Sequence, residues 1–136
     1  MARVLKIVPM EKRIYYHDTD AGGVVYYANY LKYLEEARTV FMEEKGIPIT
    51  SMHTEGFLYA VRKCDITYKS PARYGEMIVC VTALKEITAA QIIFTQSIRE
   101  KESNRLIVKA EIALVSLTPD FKPTQISENN KSKLIS

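Results

Sequence analysis

The sequence predicts an α+β domain in which one antiparallel sheet of about five strands curls around a single long helix. Two observations predict this fold class. The segment from Tyr27 to Lys45 has the spacing of a helix that is covered on most of its sides. Four segments of strand-like composition follow it, separated by short turns and without another helical pattern.

The first element is a strand expected at 10–17 (MEKRIYYH), which carries β-branched and aromatic residues and ends before an Ala-Gly-Gly break. The helix then shows one narrow polar stripe at helical spacing, formed by Lys32, Glu35, Glu36, Thr39 and Glu43. The rest of its surface is mostly apolar, so we expect the helix in the interior of the domain. Gly46 and Pro48 supply its end.

The four later strands are expected at 58–69, 75–85, 90–100 and 104–117. In the first of them the apolar positions change parity after Val61, which predicts a β-bulge near Arg62–Lys63. The polar segment 120–136 is expected to be a peripheral tail of a single domain that spans 1–136.

Composition and charge exclude several classes of protein. The chain has 136 residues, of which 47% are hydrophobic, and its formal net charge of +3 is far from the basic footprint of a nucleic-acid-binding protein. No apolar stretch approaches the ~18 residues that span a bilayer, and no leader-like apolar region follows Met1. Cys64 and Cys80 stand in no metal-ligand spacing. We therefore expect a cytoplasmic protein without a metal, an organic cofactor or a nucleic-acid partner.

The motif HDTDAGGVVYYANY at 17–30 places an acid, Asp20, in a glycine turn just ahead of the helix. The residues alone leave two interpretations open. The acid is either a helix N-cap or a working carboxylate. The start of a helix offers free backbone N–H groups and favours a negative charge, so an acid and an oxyanion donor meet there.

The longer stretch YYHDTDAGGVVYYANYLKYLEEART resembles the signature of the hot dog-fold thioesterases of the 4-hydroxybenzoyl-CoA thioesterase type, and within them the YbgC-like branch. The order of predicted elements fits that fold to about residue 120. The resemblance implies an acyl-CoA thioesterase that releases CoA and a carboxylic acid. The thioester substrate is carried by CoA or by acyl carrier protein.

The resemblance also implies roles for individual residues. Asp20 matches the acting carboxylate, as nucleophile or general base, and Tyr27 matches the residue whose backbone N–H polarises the thioester carbonyl. Gly22, Gly23 and Val24 match the turn that substrate approaches. Many YbgC-like sequences carry a histidine where Tyr27 stands, so a role of that histidine is lost here or is taken by the tyrosine.

Further candidates surround this motif. Tyr30 is expected to border the acyl groove, and Asp18 to orient the turn. CoA phosphates need positive charge at the mouth of the site, for which the candidates are Arg62, Lys63 and Arg73, with Lys69 and Lys85.

Arg38 falls inside the apolar sector of the helix. A buried guanidinium needs a partner, and Glu35 is the nearest acid on the same helix face. We expect a structural pair, with a subunit or substrate contact as the alternative.

A sheet that covers one helix leaves a strand edge and an apolar flank, which predicts a homodimer or a dimer of dimers. The resemblance places the thioester between subunits. Two other functions stay open. One is a non-catalytic acyl-thioester binding protein. The other is a hydroxyacyl-thioester dehydratase, which in relatives uses a histidine that this helix start lacks.

Overall fold

The computed structural model describes residues 7–136, with every side chain among them except that of His53. The described strands form one antiparallel sheet in the order β1-β3-β4-β5-β2, which confirms the α+β prediction. The strands are β1 (Ile7–Arg13), β2 (Leu58–Tyr68), β3 (Met77–Ile87), β4 (Gln91–Glu100) and β5 (Leu106–Leu117). The helices are α1 (Asn29–Glu44), α2 (Ile49–Glu55) and α3 (Glu128–Ile135).

The core lies between α1 and the inner face of the sheet. Strand β4 alternates strictly, so Ile92, Phe94 and Ile98 point to the helix and are fully buried. Phe41 of α1 meets Phe94 edge to face, with 5.3 Å between the ring centroids. This packing fixes the position of the N-terminal end of α1 relative to the sheet.

Both ends of the first loop differ from the prediction. Strand β1 stops at Arg13, and Tyr16–Asp18 form a 3-10 turn instead of continuing the strand. Helix α1 begins at Asn29, because a tight turn precedes it in which the Asn29 N–H donates to the Tyr26 carbonyl at 2.8 Å. Tyr27 therefore lies in this turn, two residues before the helix.

Two short helices were not predicted. Helix α2 has seven residues and α3 has eight, lengths at which hydrophobic periodicity gives little signal. Ser127 caps α3 by accepting the Asn130 N–H at 3.1 Å, and Leu134 of α3 is buried. The final segment thus packs on the body of the domain.

The predicted bulge in β2 is confirmed. Pairing with β5 passes from Val61↔Leu114 to Lys63↔Ala113, so Arg62 is the extra residue. The strand lies at one edge of the sheet, and most of its residues are exposed. No helix of the described residues is long and apolar enough to cross a membrane.

Candidate active site

A small hairpin-like loop between β1 and α1 carries the predicted acid. The Asp20 N–H donates to the Val24 carbonyl at 2.9 Å, and the Gly23 N–H donates to the Asp20 carbonyl at 3.0 Å. Thr19 and Val25 pair at the base of the loop. Asp20 is therefore held at the exposed tip of a closed turn.

The two glycines of this turn have different tasks. The Gly22 N–H donates to Asp20 Oδ1 at 2.9 Å, which fixes the carboxylate over the turn as in an Asx-turn. A Cβ on Gly22 would stand 3.3 Å from that oxygen, so a side chain there would push the carboxylate. Gly23 instead has a φ of +78°, a backbone conformation that favours glycine.

The start of the helix presents unused donors beside this loop. The N–H groups of Asn29, Tyr30 and Leu31 all donate to carbonyls of the preceding turn. In the described part of the chain, the N–H groups of Tyr27 and Ala28 donate to no protein acceptor. These two are the free donors that a helix end leaves for a ligand, and Tyr27 is the predicted one.

Asp18 lies below the turn and is buried, in contrast to the exposed Asp20. Its Oδ2 accepts the Tyr15 N–H at 2.8 Å, and the Tyr33 hydroxyl lies against the same carboxylate without the geometry of a regular hydrogen bond. Burial alone would raise the pKa of Asp18, but the Tyr15 N–H, the Tyr33 hydroxyl and the charge of His17 outweigh it and lower that pKa. Asp18 thus holds the turn in place.

Two contacts around Asp18 were not predicted. The Asn29 side-chain amide donates to the Asp18 carbonyl at 2.9 Å and ties the loop to the first residue of the helix. His17 Nε2 lies 3.8 Å from Asp18 Oδ1, in the 3-10 turn that stands where the end of the first strand was predicted.

Tyr30 is buried beneath the helix start. Its hydroxyl accepts the Ala72 N–H at 3.0 Å, and its ring packs on Tyr68 of β2, with 5.8 Å between centroids. Tyr68 also contacts the exposed Tyr27, with 6.2 Å between centroids. Tyr27, Tyr30 and Tyr68 therefore form an aromatic cluster between the helix start and β2.

The basic candidates do not all meet at the turn. Arg73 pairs with Val24 in an isolated β-bridge, so it lies beside the turn. Arg62 and Lys63 are exposed near the middle of β2. Lys63 precedes Tyr68 by five residues, which places it roughly 16 Å along the strand from the aromatic cluster. Of these three candidates, Arg73 is the one that adjoins the loop of Asp20 within a chain.

The expected pair between Arg38 and Glu35 is wrong. Arg38 Nη1 donates to Gln96 Oε1 of β4 at 3.1 Å. Glu35 instead accepts the Thr39 hydroxyl at 3.1 Å and stays exposed. Arg38 thus contacts Gln96 on a buried strand and not the exposed acid on its own helix. The residue pattern of the helix alone does not reveal a partner on another element.

Comparison with known proteins gives a consistent picture. The model of the thioesterase-like superfamily matches residues 15–128. The acyl-CoA thioester hydrolase YbgC of Escherichia coli is 36% identical over 118 residues, which cover 86% of this chain and 87% of that protein. The acyl-CoA thioesterase YbgC of Haemophilus influenzae is 31% identical over 106 residues, covering 77% and 78%.

Solved structures share the architecture. A 1,4-dihydroxy-2-naphthoyl-CoA thioesterase from Synechocystis superposes with a TM-score of 0.87 at 21% identity, over 95% of this chain and 96% of that one. The 4-hydroxybenzoyl-CoA thioesterase from Pseudomonas superposes with a TM-score of 0.85 at 18% identity, over 93% and 98%. At such identities the likeness shows the fold, which is the hot dog fold.

Proposed function

The chain belongs to the thioesterase-like superfamily, and from that premise we propose that it is an acyl-CoA thioesterase whose acting carboxylate is Asp20. The observation that carries the proposal is the pairing of an exposed carboxylate with free backbone N–H groups at one loop. A thioester carbonyl that receives the Tyr27 N–H would have its carbon exposed to Asp20.

The reaction needs one group that attacks or activates and one that holds the developing oxyanion. As nucleophile, an oxygen of Asp20 bonds to the carbonyl carbon and the CoA thiolate leaves. Water then hydrolyses the mixed anhydride. As general base, Asp20 takes a proton from the water that attacks the same carbon. Label from water containing the heavy oxygen isotope enters Asp20 only when water attacks the Asp20 carbonyl of the mixed anhydride, so labelled Asp20 would demonstrate the nucleophile route.

The local structure supports this assignment of roles. Gly22 orients the Asp20 carboxylate through its N–H, and Gly23 gives the turn its left-handed backbone. Asp18 and Asn29 fix the loop against the helix, so the acid and the donor keep their relative position. A binding protein without turnover would not need an exposed carboxylate at this point.

We further propose that the active form is a homodimer, paired again as a dimer of dimers. Strand β2 is an edge strand with exposed Val61 and Tyr68, and Leu31 of α1 is also exposed. Burying such apolar surface drives association. A second copy would also bring Arg62 and Lys63 to a thioester that lies between subunits, which one chain does not achieve.

The test is release of free CoA thiol from a panel of acyl-CoAs of short, long, branched and aromatic type. We expect hydrolysis of at least one class, and loss of the free acid product in the Asp20→Asn variant. Chromatography of the products separates a dehydratase, which would leave the thioester intact. A panel in which bound acyl-CoA is recovered unchanged would leave a binding protein as the correct function.

A further inference from the structure

Arg38 is a charged residue in the interior of the domain, with 9% of its surface exposed. Two buried neutral groups position its partner, Gln96. Gln96 Nε2 donates to the Leu34 carbonyl and to the Thr82 hydroxyl, both at 2.9 Å. These two bonds turn the Gln96 carbonyl oxygen toward the guanidinium, which donates to it at 3.1 Å. The position of the guanidinium is therefore fixed by this chain of buried hydrogen bonds.

The site gives this cation no anion. In the described chain, no carboxylate oxygen lies within 4.0 Å of the Arg38 guanidinium, and its one hydrogen bond goes to a neutral amide. Burial lowers the pKa of Arg38, and the more distant charge of Glu35 opposes that effect. Burying a cation without a counter-charge costs free energy, so the lack of a contacting carboxylate calls for an explanation.

The guanidinium faces a cavity of about 160 Å³ between α1, α2 and the β2 edge. The wall is mainly apolar, with Met42, Ile49 and Met52 among its residues. Tyr59 also lines the cavity, and its hydroxyl is buried and has no hydrogen-bond partner among the described residues. Burial raises the pKa of Tyr59 to about 12, so the hydroxyl keeps its proton and is a donor. Both groups therefore line one cavity, whose other polar lining residues are Thr39 and the exposed Glu35, a carboxylate that accepts the Thr39 hydroxyl.

The cavity is lined by α1 and β2, the same two elements whose aromatic residues meet beside the proposed catalytic loop. Tyr68 contacts Tyr27 at the helix start, and along the same strand Val61 lines the cavity. On the helix side Leu31 precedes Glu35 by one turn, and Glu35 lines the cavity mouth. Arg38 lies nine residues after Asn29, which is roughly 13 Å along the helix axis. An acyl chain that starts at the loop has this length to run before it meets the cation.

We propose that the cavity binds the far end of the acyl group and that this end carries a carboxylate, so that the substrate class is thioesters of dicarboxylic acids. This inference rests on the proposed function. The carboxylate accepts from the Arg38 guanidinium and from the Tyr59 hydroxyl, while the methylene chain lies on the apolar walls. An alkyl end would leave the cation buried against hydrocarbon, which a carboxylate of matching length avoids.

The experiment compares glutaryl-, adipyl-, suberyl- and sebacyl-CoA, each beside the alkyl thioester of equal carbon number. At one length the wild type should hydrolyse the carboxylated thioester with a kcat/KM at least tenfold above that of its alkyl partner. Arg38→Met should lower this ratio roughly 10–100-fold, the scale of one hydrogen bond to a charged group. Arg38→Lys, which keeps the charge but not the fork of donors, should lower it less.

Arg99→Met is the matched control, because Arg99 lies on the outer face of β4 and donates to the Asn104 carbonyl. It should keep the wild-type ratio. Equal or better turnover of the alkyl thioesters by the wild type would overturn the inference without any variant, and would leave the proposed function standing. Dissociation of the assembly in Arg38→Met with equal loss on both thioesters would also overturn it, since Arg38 would then serve the subunit contact. Absence of any thioester hydrolysis would instead count against the proposed function.

Discussion

At the scale of single residues, the environments of two aspartates two positions apart separate their roles. Asp18 is buried and accepts a hydrogen bond from the Tyr15 N–H, so its carboxylate stabilises the turn. Asp20 is exposed and is oriented only by the Gly22 N–H, so its remaining lone pairs face outward. The motif alone leaves both as caps or catalysts, and the burial difference is what the structure adds.

Tyr27→Pro tests the oxyanion donor. The change removes an N–H that has no protein acceptor, so the loss should fall on turnover more than on stability. We expect turnover to fall roughly 10²–10³-fold, the scale of one lost oxyanion donor.

Tyr27→Phe is the matched control, because it keeps the ring and the backbone N–H of Tyr27. It should keep most activity if the Tyr27 N–H is the donor. Thermal unfolding and oligomer size are measured on the same samples. A folded, assembled and fully active Tyr27→Pro protein would mean that the carbonyl is held elsewhere, and a large loss in Tyr27→Phe would give the hydroxyl a chemical role.

At the scale of elements, substitutions of the two adjacent glycines in the turn before α1 should have different effects, one on activity and the other on stability. Gly22→Ala places a Cβ 3.3 Å from Asp20 Oδ1, so it should displace the carboxylate and lower kcat by up to roughly 10²-fold. Gly23→Ala meets no atom within 4 Å but strains a φ of +78°. It should lower the free energy of unfolding by about 1 kcal/mol. Steady-state kinetics and thermal melts of both variants check this, and a Gly22→Ala enzyme with normal kcat would show that the carboxylate position is not critical.

The β4–β5 turn gives a prediction for pH. Glu100 accepts the Glu102 N–H, the Ser103 hydroxyl and the Ser103 N–H, which lower its pKa from 4.5 to about 2. The folded-state pKa is depressed, so the stabilisation is complete above the unfolded pKa and is lost as pH falls toward 2. Glu100→Gln should therefore lower the melting temperature at neutral pH and approach the wild type near pH 2, whereas Glu102→Gln should change little. A melting difference that is independent of pH would contradict the charge-based cause.

The elements also show which features the sequence predicts and which it does not. Strand alternation gave the β2 bulge at Arg62, because parity is a local property of the chain. The start of α1 and the 3-10 turn at Tyr16–Asp18 depend on hydrogen bonds between loop residues, which composition does not encode. The partner of Arg38 lies 58 residues away on β4, so only the folded register supplies it. The catalytic assignment came from the resemblance of the motif and not from periodicity.

At the scale of the whole molecule, the edge strand β2 exposes apolar side chains. Val61 and Tyr68 of β2 are 54% and 45% exposed, and Leu31 of α1 is 45% exposed. An edge strand of this kind is a template for pairing with another chain. The proposed assembly covers these side chains.

Leu31→Glu tests that assembly. A carboxylate in the buried interface would be unpaired, so light scattering should show a shift to the monomer, and activity should fall with it. Ile7→Glu is the control, since Ile7 is also exposed (55%) but lies on β1 at the opposite edge of the sheet. A monomeric wild type with full activity at the assay concentration would contradict the proposed dimer.

The most direct test of the central claim is the turnover of Asp20→Asn on the acyl-CoA that the wild type hydrolyses fastest. Asparagine keeps the size of the side chain and its ability to accept the Gly22 N–H, but it neither attacks a carbonyl nor takes a proton. The account predicts a loss of at least roughly 10²–10⁴-fold in kcat with an unchanged thermal melt. Asp18→Asn, measured beside it, should lose stability more than chemistry. A folded Asp20→Asn enzyme with near-normal kcat would contradict the claim that Asp20 is the acting carboxylate.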